Sequence, residues 1–208
     1  MDTSGKGGTV RHVMTAVNPA WTDVVAFKKP TDEELAHHFL WRIERRLPGP
    51  GHLTVFDRSH YEDVLIVRVH RLVPDGAWGA RYDEINDFER RLTDAGTVIV
   101  KCFLHISYDE QRERLLARLD DPTKHWKFNE ADIDERGYWQ DYMGAYADVL
   151  GRCSTDLAPW HVVPADRKWY RNWAVTRLLL ETLEAMDPRY PPSNLDTGAL
   201  NARLVPPG

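Results

Sequence analysis

The first nine residues, Met1-Asp-Thr-Ser-Gly-Lys-Gly-Gly-Thr9, carry the residue types of a phosphate-binding loop. Gly5, Gly7 and Gly8 let the backbone turn sharply and bring several N–H groups onto one anion, and Lys6 adds a point charge. Val10, Val13, Met14 and Val17 follow at helical spacing, which sets the loop at a helix N-terminus. The helix dipole favours phosphate there as well. The usual phosphate-loop pattern places Ser or Thr after Gly-Lys. Here Gly7 stands in that position, and the first glycine of the pattern would fall one place before Met1. A loose N-terminal tail rich in glycine and lysine is the other reading of these residues.

A second group is Phe56-Asp-Arg-Ser-His-Tyr-Glu-Asp63. An acid at the end of an apolar strand is what a phosphoryl-transfer enzyme uses to hold magnesium or orient a nucleophile, and Asp57 follows Leu53–Phe56 in that way. Arg58 beside it has the fork geometry to grip phosphoryl oxygens. A helix cap with acids in its first turn has the same composition. A third group is Arg112, Arg114, Arg118, Lys124 and Lys127, with Trp126 among them. It suits a lid that clamps phosphoryl groups and excludes water. It equally suits a solvated helix face paired with Glu110 and Glu113. Trp169 and Trp173, four apart, read as core or subunit contact. The nine histidines show no metal-ligand spacing.

The elements that must position these groups alternate. Helices are expected over 9–17, 31–47, 61–72, 79–95, 109–119, 133–150 and 167–186, with strands over 23–27, 53–56, 97–106 and 160–163. Thr31 and Glu34 form a capping box. The strand at 97–106 is the longest apolar run and the expected centre of the sheet. Such alternation predicts an α/β fold with a mainly parallel sheet, whose site lies outside the carboxyl ends of the strands. That rule puts Asp57 and Lys28-Lys29 near the glycine loop. The Pro-rich residues 187–208 read as an extended tail.

At 208 residues and 42% hydrophobic, one domain with a sizeable core is expected. A net charge of −5 disfavours nucleic acid or anionic membrane as a partner, so any polyanion must meet a local basic channel. No stretch has transmembrane length, no signal peptide pattern precedes the loop, and the cytoplasm is the expected location. Cys102 and Cys153 make no disulfide framework.

Taken together, the sequence resembles the polyphosphate kinase 2 family. The likeness lies in the glycine loop, 30–42, 56–63, Arg118 to Lys127, and Ala158-Pro-Trp160 through Trp169-Tyr-Arg-Asn-Trp173. It runs in order from Met1 to Met186, and Ser59-His-Tyr-Glu-Asp63 looks most like the branch that accepts both nucleoside mono- and diphosphates.

The resemblance implies a P-loop kinase of thymidylate-kinase-like architecture over 1–186 with a helical lid over about 109–133. It implies Mg2+-dependent transfer, with Mn2+ as a substitute, between inorganic polyphosphate and AMP or ADP, extending to GMP and GDP. By that resemblance Asp2 and Asp57 hold the metal, and Lys6 with Gly5, Gly7, Gly8 and Thr9 binds phosphates. Arg58 bridges phosphates, and Arg118 comes down from the lid. Lys28, Lys29, Lys124 and Lys127 line the polyphosphate channel, while Arg42 and Asp63 face the nucleotide. A homodimer or homotetramer is implied.

Family members enter the glycine loop from a buried central strand that this sequence does not include. The expectation is a sheet lacking that strand, a start codon placed too late, and a chain unstable or inactive as it stands. An ATP-dependent nucleoside monophosphate kinase and a non-catalytic nucleotide-binding remnant are the rival readings.

Overall fold

A computed structural model describes residues 3–204 of the chain. Helices and short parallel strands alternate, as the hydrophobic periodicity requires. The helices are α1 (Lys6–Met14), α2 (Asp32–Leu35), α3 (Trp41–Glu44), α4 (Ile66–Val69) and α5 (Asp75–Asp94), then α6 (Tyr108–Leu119), α7 (Ala131–Glu135), α8 (Trp139–Cys153), α9 (Lys168–Met186) and α10 (Thr197–Arg203). The strands are β1 (Thr22–Ala26), β2 (Leu53–Asp57), β3 (Lys101–His105) and β4 (Trp160–Pro164).

The strands form two parallel pairs. β1 pairs with β2, Ala26 opposite Asp57, and β3 pairs with β4, Leu104 opposite Val163. A mainly parallel sheet lacking its central strand was expected. The described residues give two two-stranded sheets, with no ladder joining β2 to either β3 or β4. Helices connect them: α1 packs against both β2 and α9, and α9 packs against β4.

The core is organised by α5. Tyr82 and Ile85, three residues apart on one helical face, are buried with Tyr61, Val64 and Leu65 and with Ala145 and Val149 of α8. Phe88, one turn on, closes a second cluster with Phe27, Leu40 and Ile43. Gly96 ends the α5 region at φ 89°, a left-handed angle that glycine adopts without strain.

Three expected helices differ. The capping box of Thr31 and Glu34 forms in both directions, at 3.2 and 2.9 Å, but the helix ends at Leu35 and resumes at Trp41. Leu40 and Ile43 must reach Phe27 and Phe88, whereas Leu35 stays 65% exposed, so the three cannot share one unbroken face. In the break, the His38 ring accepts the Leu40 N–H, a local bond that competes with helix. The 61–72 helix becomes a 3-10 turn over His60–Asp63 and the short α4, separated where Val64 and Leu65 leave helical geometry. The 133–150 helix divides at Arg136–Tyr138 into α7 and α8. Strand 97–106 shortens to Lys101–His105, and the tail holds the seven-residue α10. Trp169 and Trp173 are not core: they stand 70% and 56% exposed.

Candidate phosphate and nucleotide site

Asp57 is the last residue of β2, and its carbonyl accepts the Phe27 N–H at 3.1 Å. That bond carries the β1–β2 pairing one step past the strand, so Lys28 and Lys29 leave β1 at the same end at which Asp57 closes β2. Parallel pairing thus sets two groups that are far apart in sequence, the Lys28-Lys29 pair and Asp57, at one end of the same strand pair. Arg58 itself has φ 66°. A bulky residue held in the left-handed region costs about 1–3 kcal/mol and persists where surrounding structure imposes it. Thr3, in the glycine loop, has φ 60°. Two of the four such residues among those described therefore sit in the motifs the sequence marks for chemistry; the others, Arg71 and Asp187, follow helix ends.

Beyond β1 lies a cleft of about 220 Å³. Lys28, Lys29, Arg42 and Arg46 line it, with Glu34 as its one carboxylate and Phe27 in its wall. In an acidic chain, four cations on one small cleft make a focused positive field. Arg42 is fixed there. It donates to the Lys28 carbonyl at 2.9 Å, pairs with Glu34 at 3.3 Å, and lies over the Phe27 ring at 4.9 Å. A larger hollow of about 520 Å³ lies between Val98 and the last turns of α9. Its lining carries no cation, so of the two hollows the smaller cleft has the charge to hold an anion.

Asp63 pairs with Arg81 at 3.0 Å. Burial raises its carboxyl above the usual range, and the Arg81 and Arg42 charges oppose that rise. Lys6 and Thr9 lie on α1, with Gly5 as its left-handed N-cap at φ 96°. The Thr9 hydroxyl and N–H both donate to the Gly5 carbonyl, at 3.1 and 2.9 Å, closing the loop onto the first turn. Gly7 and Gly8 form the exposed first turn. Asp2 lies outside the described residues.

Residues 109–133 fold as most of α6, the 3-10 turn Pro122–Lys127 and part of α7, and their cations are engaged locally. Arg118 donates to the Lys127 carbonyl at 3.3 Å and faces Asp132 at 3.6 Å. Lys124 pairs with Asp121 at 2.7 Å, and Lys127 lies over the Trp126 ring at 4.8 Å. Arg114 does not share their role: it turns toward the glycine loop, donating to the Thr3 carbonyl at 2.9 Å.

Sequence reasoning missed a buried charged network behind the Asp57–Asp63 turn. Lys101 Nζ donates to Glu89 Oε2 at 2.5 Å, to Tyr61 Oη at 2.9 Å and to the Cys153 carbonyl at 2.7 Å. Tyr61 Oη donates to Glu89 Oε1 at 2.8 Å. Burial by itself raises the Glu89 carboxyl, but the bond from His60 and the Lys101 charge outweigh it and hold the carboxyl below its usual range. The signal was a lysine opening an apolar strand and a glutamate on the buried face of α5.

A magnesium ion is tested against the same residues. Among those described, no three His, Cys, Asp or Glu side chains gather as a metal-binding group. Mg2+ characteristically takes only one or two carboxylates and fills its other positions with water and phosphate oxygens. A half-buried Asp57 at a strand end fits an ion that arrives with its substrate. No described helix is long and apolar enough to cross a membrane.

Known proteins share this sequence and fold. A protein of Meiothermus ruber named AMP/ADP-polyphosphate phosphotransferase is 51% identical over 191 residues, 92% of this chain and 72% of its own. An ADP-polyphosphate phosphotransferase of Rhodopseudomonas palustris is 47% identical over 203 residues, 92% of this chain and 70% of its own. The crystal structure of polyphosphate kinase 2 from Arthrobacter aurescens TC1 superposes with a TM-score of 0.95 at 53% identity, covering 98% of this chain and 72% of that one. The family model for polyphosphate kinase 2 matches residues 1–191. With sequence, fold and family match agreeing over nearly its whole length, the chain belongs to the polyphosphate kinase 2 family.

Proposed function

We propose that this chain transfers phosphoryl groups between inorganic polyphosphate and nucleoside mono- and diphosphates, with AMP and ADP as acceptors. The observation that carries the reading is the gathering of Lys28, Lys29, Arg42 and Arg46 on one cleft at the end of β1, whose last residue pairs with Asp57, in a chain of net charge −5. Relatives whose names state that activity are about half identical to it. Phosphoryl transfer spreads charge over the equatorial oxygens, so catalysis is chiefly positioning and cationic stabilisation. Lys6 and the loop amides hold the phosphates at the transfer point, and Arg58 bridges donor and acceptor phosphates. Arg118 exchanges Asp132 for phosphate oxygens when the lid closes. Lys28 and Lys29, with Lys124 and Lys127, line the path of the polyanion, while Arg42 and Asp63 face the nucleotide. Asp57, together with Asp2, would hold Mg2+, which neutralises phosphate charge when bound. Cytoplasmic nucleotide pools suit these substrates. The exposed Trp169 and Trp173 on α9 suit self-association as a homodimer or homotetramer. The test is a donor comparison: polyphosphate against ATP, with AMP and with ADP, following product by chromatography.

We also propose that the two strand pairs belong to one sheet with a parallel strand position open between β2 and β3, the two strands paired along one edge each among the described residues. Unpaired backbone at such edges is costly when buried. The outward amides of β2 and β3 are expected to exchange with deuterium faster than the amides on the paired edges of the same strands. Equal protection along both edges contradicts the open position. The same split favours a second reading, a chain that binds phosphate or nucleotide without turning over; binding without transfer would identify it.

A further inference from the structure

Two arginines outside the cationic cleft hold the glycine loop by its backbone. Arg114 donates from Nη1 to the Thr3 carbonyl at 2.9 Å, and from Nη2 to the Ala165 and Asp166 carbonyls at 2.7 and 2.8 Å. Its Nε faces Glu110 at 2.8 Å. Arg171, in the first turn of α9, is only 4% exposed and donates from Nη1 to the Ser4 carbonyl at 3.0 Å. Its Nε and Nη2 go to Asn172 Oδ1 at 3.2 and 2.8 Å. These acceptors are neutral. Burial, and then the neighbouring Arg114 charge, lower the Arg171 pKa from the ordinary arginine value. A buried cation whose partners among the described residues are all neutral oxygens is an expensive arrangement to keep for packing alone.

Peptide geometry shows what the arrangement accomplishes. In a planar trans peptide the C=O and the next N–H point in opposite directions. The chain has no cis peptide among the described residues. Pulling the Thr3 and Ser4 carbonyls toward Arg114 and Arg171 therefore turns the N–H groups of Ser4 and Gly5 to the opposite side of the loop. Thr3 at φ 60° and Gly5 at φ 96° give the alternating backbone that builds an anion-binding concavity. The fit is reciprocal: a Cβ on Gly5 would lie 1.7 Å from Arg171 Nη1. Gly5 is required by its angle and also by the guanidinium packed against it.

The geometry points to Arg114 and Arg171 as positioning residues that orient two successive peptide planes of the glycine loop, so that the N–H groups face a phosphate while the arginines supply positive charge from behind. This rests on the reading of the loop as a phosphate cradle.

The test uses the full chain with pyrophosphate as probe, in wild type, Arg171→Met and Arg171→Lys, each confirmed folded by circular dichroism. Affinity is measured by calorimetry, and the Gly5 amide is followed by 1H–15N spectroscopy. Wild type should bind, with the Gly5 resonance moving. Arg171→Met should weaken binding by about tenfold or more and remove that movement, as loss of a charge-assisted bond predicts. Arg171→Lys should recover part of both. A folded Arg171→Met that binds as wild type and moves the Gly5 resonance equally overturns the inference. If Arg171→Met does not fold, Arg171→Gln, which keeps an N–H donor and loses the charge, is judged by the same criterion. Wild type that binds pyrophosphate but transfers nothing from polyphosphate counts against the kinase reading alone and leaves this inference to the variants.

Discussion

Replacing Lys6 by alanine is expected to lower phosphoryl transfer by about 10²–10³-fold, the scale lost when one preorganised electrostatic group is removed from a transition state. Lys6 opens α1 directly after the left-handed Gly5, so its charge adds to the helix dipole at the point where the loop amides converge. It is half-buried and outside both hydrophobic clusters, so the variant should keep its fold. Arg118→Ala should behave alike in kcat, for a different reason. Its present partners, the Lys127 carbonyl at 3.3 Å and Asp132 at 3.6 Å, are long contacts that a phosphate can displace. Steady-state kinetics with polyphosphate and AMP, alongside circular dichroism, checks both. Wild-type turnover in either folded variant removes that residue from the mechanism.

The largest stability effect is expected at Lys101. Lys101→Met leaves the Glu89 carboxylate, 2% exposed, facing Tyr61 and His60 without its cation. Breaking a buried pair from one side costs about 3–5 kcal/mol. The double variant Lys101→Met with Glu89→Leu removes both charges and should recover much of that loss, since paired apolar replacements are often neutral or stabilising. Urea denaturation measures all three proteins. A single variant within about 1 kcal/mol of wild type contradicts the buried-pair account. The pH dependence has a definite sign. The Glu89 carboxyl lies below its ordinary value of 4.5 in the fold. Its contribution is therefore complete above that value and is lost as pH falls through the lower folded one. Because Tyr61 belongs both to this network and to the turn that follows Asp57 and Arg58, loss of Lys101 should loosen the site as well as the core.

Local signals carried much of this structure. The capping box at Thr31 and Glu34, the strand that ends on Asp57 and the long helix closed by Gly96 all follow from residue type and spacing over a few positions. The strand-end rule for α/β folds places Lys28-Lys29 and Asp57 at one end of the sheet, and the β1–β2 register has them there. What sequence left hidden is long-range. The Arg171–Ser4 bond spans 167 positions and the Arg114–Thr3 bond 111, and nothing near either arginine marks it as a partner of the loop. Arg114 and Arg118 share helical spacing, which suggests one role, yet Arg118 faces Asp132 while Arg114 turns to the glycine loop. Glu89 and Lys101 look like ordinary surface charges until tertiary packing buries them together. The 31–47 helix fails for the same reason: periodicity over Leu35, Phe39, Leu40 and Ile43 is correct in period, but Phe27 and Phe88 decide which of them is buried.

The central claim is that polyphosphate is the donor. Purified chain incubated with AMP or ADP, Mg2+ and either polyphosphate or ATP tests it most directly. The expected result is ADP from AMP and ATP from ADP with polyphosphate, at rates well above any transfer from ATP to AMP. Phosphorylation of AMP by ATP, with no product from polyphosphate under the same conditions, would contradict the account.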